Sequence, residues 1–93
     1  MKKNLLKMFM AACINKMVYE DREDERLVAK EEFGIDSVEY YVGQVHSYHN
    51  ACLIAGYSVK EISNAYLKAE KMYDYNPQMF DIVEPIEFAD EED

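Results

Sequence analysis

Two short segments of this sequence repeat one boundary pattern, which restricts the chain to helices joined by tight turns. Each segment has a glycine, a large apolar residue, a polar residue that can cap a helix, and a glutamate three positions after that cap. The residues are Gly34, Ile35, Asp36 and Glu39 in the first segment, and Gly56, Tyr57, Ser58 and Glu61 in the second. Glycine adopts the left-handed conformation that ends a helix, and the cap–glutamate pair satisfies free amides at the next helix start. We therefore predict that helices end at Gly34 and Gly56 and that new helices begin at Asp36 and Ser58.

The apolar residues around these boundaries recur at helical spacing. Residues 36–55 place Val, Tyr and Cys side chains on one face, and residues 58–74 place on one face Val59, Ile62, Tyr66, Ala69 and Tyr73. An earlier stripe runs from Leu6 to Met17, but a straight helix continued to Phe33 would bring Glu20 onto that stripe. We therefore predict a break within 20–26 and a further helix to Phe33. The expected fold is all-α, with three to four helices in a small bundle formed by residues 1–76.

The C-terminal end differs from the rest of the chain in charge and in patterning. The first 73 residues carry 10 basic and 11 acidic side chains, whereas the last 20 carry eight acidic ones and no Lys or Arg. Pro77 predicts the end of the last helix. Beyond it, apolar residues alternate with acidic ones, as in extended chain; the apolar ones are Phe80, Ile82, Ile86 and Phe88. We therefore predict an extended acidic C-terminal arm over 77–93, which either packs on the helical domain or folds on a partner.

Uncompensated acidic charge favours a protein partner with a basic surface. Eight Tyr and no Trp add side chains with an apolar ring and a hydroxyl, which suit interfaces as well as a small core. We therefore expect a non-enzymatic protein-binding module, similar in type to the small inhibitors of phages and mobile elements, some of which act as nucleic-acid mimics. The predicted partner-binding residues are Tyr75, Phe80, Asp81, Glu84, Glu87, Phe88, Asp90 and Glu91. We also expect residues 77–93 to contribute more to binding than to folding.

One segment suggests a different function. A small residue, Cys52, lies four positions before Gly56, and buried-type residues follow the turn at Tyr57, Ile62 and Ala65. Segment 51–67 therefore resembles the helix-turn-helix of DNA-binding proteins. That resemblance implies that four residues face a major groove, namely Ser58, Lys60, Ser63 and Asn64. The acidic tail would repel phosphate and argues against nucleic acid as a partner. A homodimeric structural adaptor is a third alternative, since small domains gain stability by association.

Residues typical of catalysis or metal binding are few. His46 and His49 are three apart and share a helical face, but zinc needs three or four ligands, so we predict no metal site and no cofactor. The chain has no glycine-rich nucleophile turn and no phosphate-binding glycine loop, so we predict no enzymatic activity.

Cys13 and Cys52 fall within helical apolar patterns, which predict free buried thiols and favour a reducing, cytoplasmic location. The residues from Met10 to Cys13 resemble the cleavage box of a bacterial lipoprotein signal, but Lys7 interrupts an apolar run that is already short. No stretch is long and apolar enough to cross a membrane. We therefore expect an uncleaved amphipathic first helix and no membrane association.

Overall fold

The computed structural model describes the backbone of residues 2–83 and the side chains of residues 5–83, and this part contains four α-helices and no strand. α1 spans Lys2–Asp21, α2 spans Glu23–Phe33, α3 spans Val38–Ile54 and α4 spans Val59–Tyr75. A short 3₁₀ turn, Pro77–Met79, follows α4. The predicted all-α fold of three to four helices is confirmed for the described residues. Most of the predicted acidic arm, residues 84–93, lies outside them.

α1 is the central helix. It contacts each of the other three helices, whereas α3 and α4 contact each other sparsely. Its buried side chains lie on several sides of the helix and are Phe9, Ala12, Cys13, Asn15, Val18 and Tyr19. A helix that buries residues on several sides needs another element packed against each of those sides. The single stripe predicted from Leu6 to Met17 therefore captured only part of the contacts that α1 makes.

Two clusters of buried side chains fix the directions of the helices. The first lies between the N-terminal half of α1 and the turn that joins α3 to α4. Its members include Phe9, Cys13, Tyr48, Cys52 and Ile62. The second lies at the C-terminal end of α1. Its members include Val18, Tyr19, Tyr41, Tyr73 and Ile82. α3 therefore runs antiparallel to α1, and α4 runs parallel to it.

The predicted break in the N-terminal helical region is confirmed. α1 ends at Asp21, and Arg22 adopts an extended backbone conformation before α2 begins. Arg26, one turn into α2, donates from Nη1 to the carbonyls of Tyr19 at 2.8 Å and Glu20 at 3.1 Å. A positively charged donor at the end of a helix satisfies carbonyls that have no partner within that helix. The acidic run around this break is therefore the junction between two helices.

Both predicted glycine boundaries are confirmed. Gly34 and Gly56 have φ angles of 71° and 106°, which side chains with a Cβ rarely adopt. After α3, the Gly56 amide donates to the Leu53 carbonyl at 3.1 Å and the Tyr57 amide donates to the Cys52 carbonyl at 3.0 Å. These two bonds are the Schellman arrangement, which satisfies the last carbonyls of a helix. The turn into α4 is therefore determined by residues that are close in sequence.

The two predicted helix starts differ in outcome. Ser58 caps α4 as predicted: its hydroxyl accepts the Glu61 amide at 3.0 Å, and the Glu61 carboxylate accepts the Ser58 amide at 2.8 Å. The start predicted at Asp36 is wrong, because Ser37 caps α3 and its hydroxyl accepts the Glu39 amide at 3.1 Å. An N-cap side chain reaches the amide two or three residues later, so two neighbouring cap-forming residues compete for one helix start. The stripe predicted for α4 is also wrong at two positions, since Val59 and Tyr66 are 64% and 39% exposed.

A membrane span would need a longer or more apolar helix than any that residues 2–83 form.

Candidate protein-binding surface

The chain after α4 packs on the helical domain through residues 77–83, which we name the strap. Arg22, at the junction of α1 and α2, donates from Nη1 to the carbonyls of Pro77, at 2.9 Å, and Phe80. The same guanidinium lies 3.4 Å from the Glu25 carboxylate, and the Arg22 side chain is 10% exposed. Charge-assisted hydrogen bonds from a guanidinium are stronger than neutral ones and fix geometry. Arg22 is therefore the anchor of the strap.

The far end of the strap is held by α1 and α2. The Ile82 amide donates to the Glu25 carboxylate at 2.9 Å, and the Val83 amide donates to Oδ1 of Asn15 at 3.2 Å. The Ile82 side chain is 5% exposed and belongs to the second buried cluster. Residues 77–83 are therefore packed against the helical domain. The expectation that the arm serves binding more than folding stays a prediction for residues 84–93.

The residues predicted to bind a partner divide into three groups. Phe80 is half-buried, and its ring centroid lies 6.0 Å from that of Tyr73. Tyr75 and Asp81 are exposed, and Tyr75 is 88% exposed, the highest value for a large apolar residue within residues 5–83. The remaining predicted residues, which lie outside the described part of the chain, are Glu84, Glu87, Phe88, Asp90 and Glu91.

Four of the exposed residues at the end of α4 and in the strap form the candidate surface, which we name the C-terminal edge: Asp74, Tyr75, Met79 and Asp81. Met79 is 65% exposed and lies in the 3₁₀ turn between the two carbonyls that Arg22 binds. Asp74 and Asp81 are both exposed. The sequence did not single out Met79, because its exposure follows from the strap's path and not from any periodicity. An exposed ring and an exposed thioether that lie between two acidic residues in the sequence suit a protein contact.

The residues of the helix-turn-helix resemblance lie on the surface of the first part of α4. All four are exposed, namely Ser58, Lys60, Ser63 and Asn64. The Ser58 hydroxyl already accepts the Glu61 amide, so it serves the helix start. Lys60 and Asn64 share a helical face with Lys68 and Lys71, which are also exposed. Two acidic residues border this lysine face, because Asp74 lies three residues after Lys71 and Glu61 lies three residues before Asn64.

A groove of about 400 Å³ separates parts of α3 and α4, and Phe9 of α1 contributes to its lining. His46 and His49 lie along it, and the His49 ring centroid is 6.0 Å from that of Phe9. Among the described residues there is no group of three or more His, Cys, Asp or Glu that is able to hold a metal ion. Sequence reasoning missed this groove, because it depends on how sparsely α3 and α4 contact each other.

The buried ionisable groups lie in the core. Burial raises the pKa of the Cys13 thiol to about 12, against a smaller opposite effect of Lys16. Burial also raises the pKa of Cys52. A thiol is nucleophilic only as the thiolate. The predicted free buried thiols are confirmed, and both are protonated at neutral pH.

Comparison with known proteins finds no match for this chain among family models, curated protein sequences or solved structures. Its function is therefore inferred from the geometry of the described residues.

Proposed function

We propose that this chain is a non-enzymatic protein-binding module that contacts a basic, nucleic-acid-binding partner through its C-terminal edge and its acidic segment 84–93. The observation that carries the proposal is the exposure of Tyr75 and Met79, which are 88% and 65% exposed and lie between Asp74 and Asp81 in the sequence. Tyr and Met are enriched at protein interfaces, and large apolar side chains that interfaces bury act as anchors. Carboxylates around them complement a basic surface and speed association.

The strap supports this role because it fixes the backbone on both sides of Met79. Arg22 binds the carbonyls of Pro77 and Phe80, so the 3₁₀ turn is held by a guanidinium whose side chain is only 10% exposed. A surface that is rigid before binding loses less conformational entropy on association. Segment 84–93 adds six acidic residues and no basic one directly after this surface. Carboxylates in such a segment would occupy phosphate sites of the partner, which is the inhibitory mechanism that we propose.

The test is affinity capture with the wild-type chain, identification of the retained protein, and titration with that purified protein at several salt concentrations. We expect the double variant Tyr75→Ser/Met79→Ser to weaken binding by 10-fold or more, which corresponds to about 1.4 kcal/mol. Ile54→Ser is the matched control, because Ile54 is 86% exposed but lies at the turn between α3 and α4. If binding survives the double variant and is lost with Ile54→Ser, the interface lies at the opposite end of α4.

A second candidate function is DNA binding, and the lysine face of α4 favours it. Lys60, Lys68 and Lys71 are exposed on one helical face, and within residues 5–83 none of them makes an ion pair. Phosphate contacts supply most of non-specific DNA affinity and weaken with salt. A gel-shift assay with a mixed-sequence duplex at low salt separates the candidates. Retardation that Lys60→Ala and Lys68→Ala abolish would support DNA binding, whereas self-association without either partner would support the homodimeric adaptor.

A further inference from the structure

α4 carries a second row of residues at helical spacing, beside the row that packs on the rest of the domain. The first row is buried and consists of Ile62, Ala65, Ala69 and Tyr73. The second row, which we name the outer row, recurs at spacings of three and four and consists of Lys60, Ser63, Leu67, Glu70 and Asp74. Glu70 is half-buried and the other four are exposed. The outer row is therefore a helix face that the described elements leave mostly uncovered.

The groove between α3 and α4 borders this face. Ser63 and Leu67 line the groove from α4, and the lining residues from α3 are Val45, His46 and His49. Leu67 is 51% exposed, although its side chain is aliphatic. A second helix laid along the outer row would contact α3 as well as α4, because helices pack by placing side chains in the grooves of their neighbours. It would also remove the Leu67 side chain from water.

The charges of the outer row are arranged symmetrically about Leu67. Lys60 lies seven residues before Leu67 and Asp74 lies seven residues after it, which is about 10.5 Å along the helix in each direction. Neither charged residue makes an ion pair within residues 5–83. If a twofold axis at Leu67 relates two antiparallel copies of α4, each Lys60 lies opposite the Asp74 of the second copy. The outer row is therefore complementary in charge to a second copy of itself.

The remaining residues of the outer row agree with this pairing. Ser63 lies four residues before Leu67 and Glu70 lies three residues after it, so the two also meet across the twofold axis. A serine hydroxyl can donate to a carboxylate. The third acidic residue of α4, Glu61, accepts the Ser58 amide and lies on another side of the helix. The pairing therefore places no acidic residue of the outer row opposite another acidic residue.

We propose that the outer row of α4 binds a second copy of the chain, in a twofold-symmetric pair of antiparallel α4 helices centred on Leu67. The two Leu67 side chains pack on each other, and two ion pairs between Lys60 and Asp74 flank that contact. A twofold interface is closed, so association stops at two chains. Tyr75 and Met79, which carry the proposed function, are not in the outer row, so this pair does not depend on a basic partner.

Sedimentation velocity of the purified chain at low salt, from about 10 μM to 1 mM, tests the pair without any other protein present. We expect the mass to rise with concentration from one chain to two and no further. Leu67→Asp places a carboxylate at the centre of the contact and should raise the dissociation constant 10-fold or more, about 1.4 kcal/mol. Lys68→Glu is the matched control, because Lys68 is exposed and lies outside the outer row.

Three results of this measurement would overturn the proposal. They are a wild type that stays monomeric, a mass above two chains, and a dissociation constant that Leu67→Asp changes no more than Lys68→Glu does. Since Leu67 and Lys68 are both exposed, circular dichroism should show the helix content of the wild type in both variants.

Charge reversal tests the register of the two helices. Lys60→Glu and Asp74→Lys each place like charges at both flanking contacts, so each variant alone should associate about 10-fold more weakly than the wild type. Both changes favour α4 itself, because they add an acidic residue near its start and a basic residue near its end.

An equimolar mixture of these two variants restores opposite charges at both flanking contacts. We expect the mixture to associate about as tightly as the wild type and more tightly than either variant alone. A mixture that associates no better than its components, or a single variant that associates as the wild type does, would show that Lys60 and Asp74 do not meet and would overturn the proposal.

Discussion

The two ends of α4 are held by different kinds of contact. At its N-terminal end, the Schellman turn at Gly56 and the capping box of Ser58 and Glu61 use residues that are close in sequence. At its C-terminal end, the strap is bound by Arg22 and Asn15, which precede their partners by 55 to 68 residues. Local contacts select a helix boundary before the fold forms, whereas distant contacts exist only after α1 and α4 are packed. The contacts at the N-terminal end determine where α4 begins. The contacts at the C-terminal end hold the strap against the helical domain.

Removal of the contacts at the C-terminal end of α4 by truncation should lower the stability of the chain more than any other change. Removing residues 77–93 exposes the site of Ile82 and leaves Arg22 and Glu25 without their strap partners. Since a buried side chain is worth about 1.5–3 kcal/mol and the hydrogen bonds from the strap to Arg22 and Glu25 add to it, we expect a loss of about 4–6 kcal/mol in the free energy of unfolding. Urea denaturation followed by circular dichroism measures it. The control is a chain that ends at Val83, which should lose no more than about 1 kcal/mol because exposed charge pairs contribute little.

Equal stability of the two truncated chains and the full chain would refute the structural role of the strap. It would support the expectation that the whole arm, residues 77–93, serves binding more than folding. Unfolding of the chain that ends at Val83 would instead place part of the stability in residues 84–93.

The second prediction compares two arginines at the junction of α1 and α2. Arg22→Ala should lower the free energy of unfolding by about 3 kcal/mol, because it leaves two strap carbonyls and the buried side of Glu25 without a charged donor. Arg26→Ala also removes a donor to two carbonyls, those of Tyr19 and Glu20, but both are local to the junction. We expect Arg26→Ala, the control, to lower the free energy of unfolding by about 1 kcal/mol. If thermal or urea unfolding gives similar losses for the two variants, the hydrogen bonds from Arg22 to the strap do not stabilise the fold.

The sequence predicted the parts of this fold that local contacts determine. The sequence alone predicted both glycine boundaries, the Ser58 cap and the break before α2, because each depends on residues within one or two helical turns. The cap at Ser37 was missed since Asp36 offers the same chemistry one residue earlier. The role of Arg22, the burial of Asn15 and the exposure of Met79 were not predictable. They depend on where the strap crosses α1, which no periodicity in the sequence records.

The third prediction concerns the turn at the N-terminal end of α4. Gly56→Val should destabilise the chain by about 2 kcal/mol, because a β-branched residue is strained at a positive φ. Ser58→Ala should cost about 1 kcal/mol through loss of the side-chain acceptor for the Glu61 amide. Ser63→Ala is the control, since Ser63 is exposed and does not cap a helix. If thermal melts give the same midpoint for Gly56→Val and Ser63→Ala, the turn does not depend on glycine.

The smallest expected effect concerns the buried cluster beneath the strap. Tyr41 is 0% exposed, and its hydroxyl has no hydrogen-bond partner among the described residues. Removing an unpaired buried hydroxyl removes a desolvation penalty, so Tyr41→Phe should leave stability unchanged or raise it by up to about 1 kcal/mol. Tyr75→Phe is the matched control, because its hydroxyl is on the surface and the change should stay within about 0.5 kcal/mol. A loss of stability in Tyr41→Phe would reveal a partner for this hydroxyl outside residues 5–83.

The same residue gives the fold a dependence on alkaline pH. Burial, with smaller contributions from Tyr40 and Tyr19, raises the pKa of Tyr41 from 10.0 to about 12. The unfolded chain therefore releases this proton at lower pH than the folded chain does. Below pH 10 the neutral hydroxyl is present in both states, and stability falls as the pH rises from 10 toward 12.

Tyr41→Phe removes this contribution, so the unfolding free energy of the variant should decline less between pH 10 and 12 than that of the wild type. Since Cys13, in the first buried cluster, also titrates there, the decline should be reduced and not abolished. Equal declines would mean that alkaline unfolding begins at the cluster next to the α3–α4 turn and not beneath the strap.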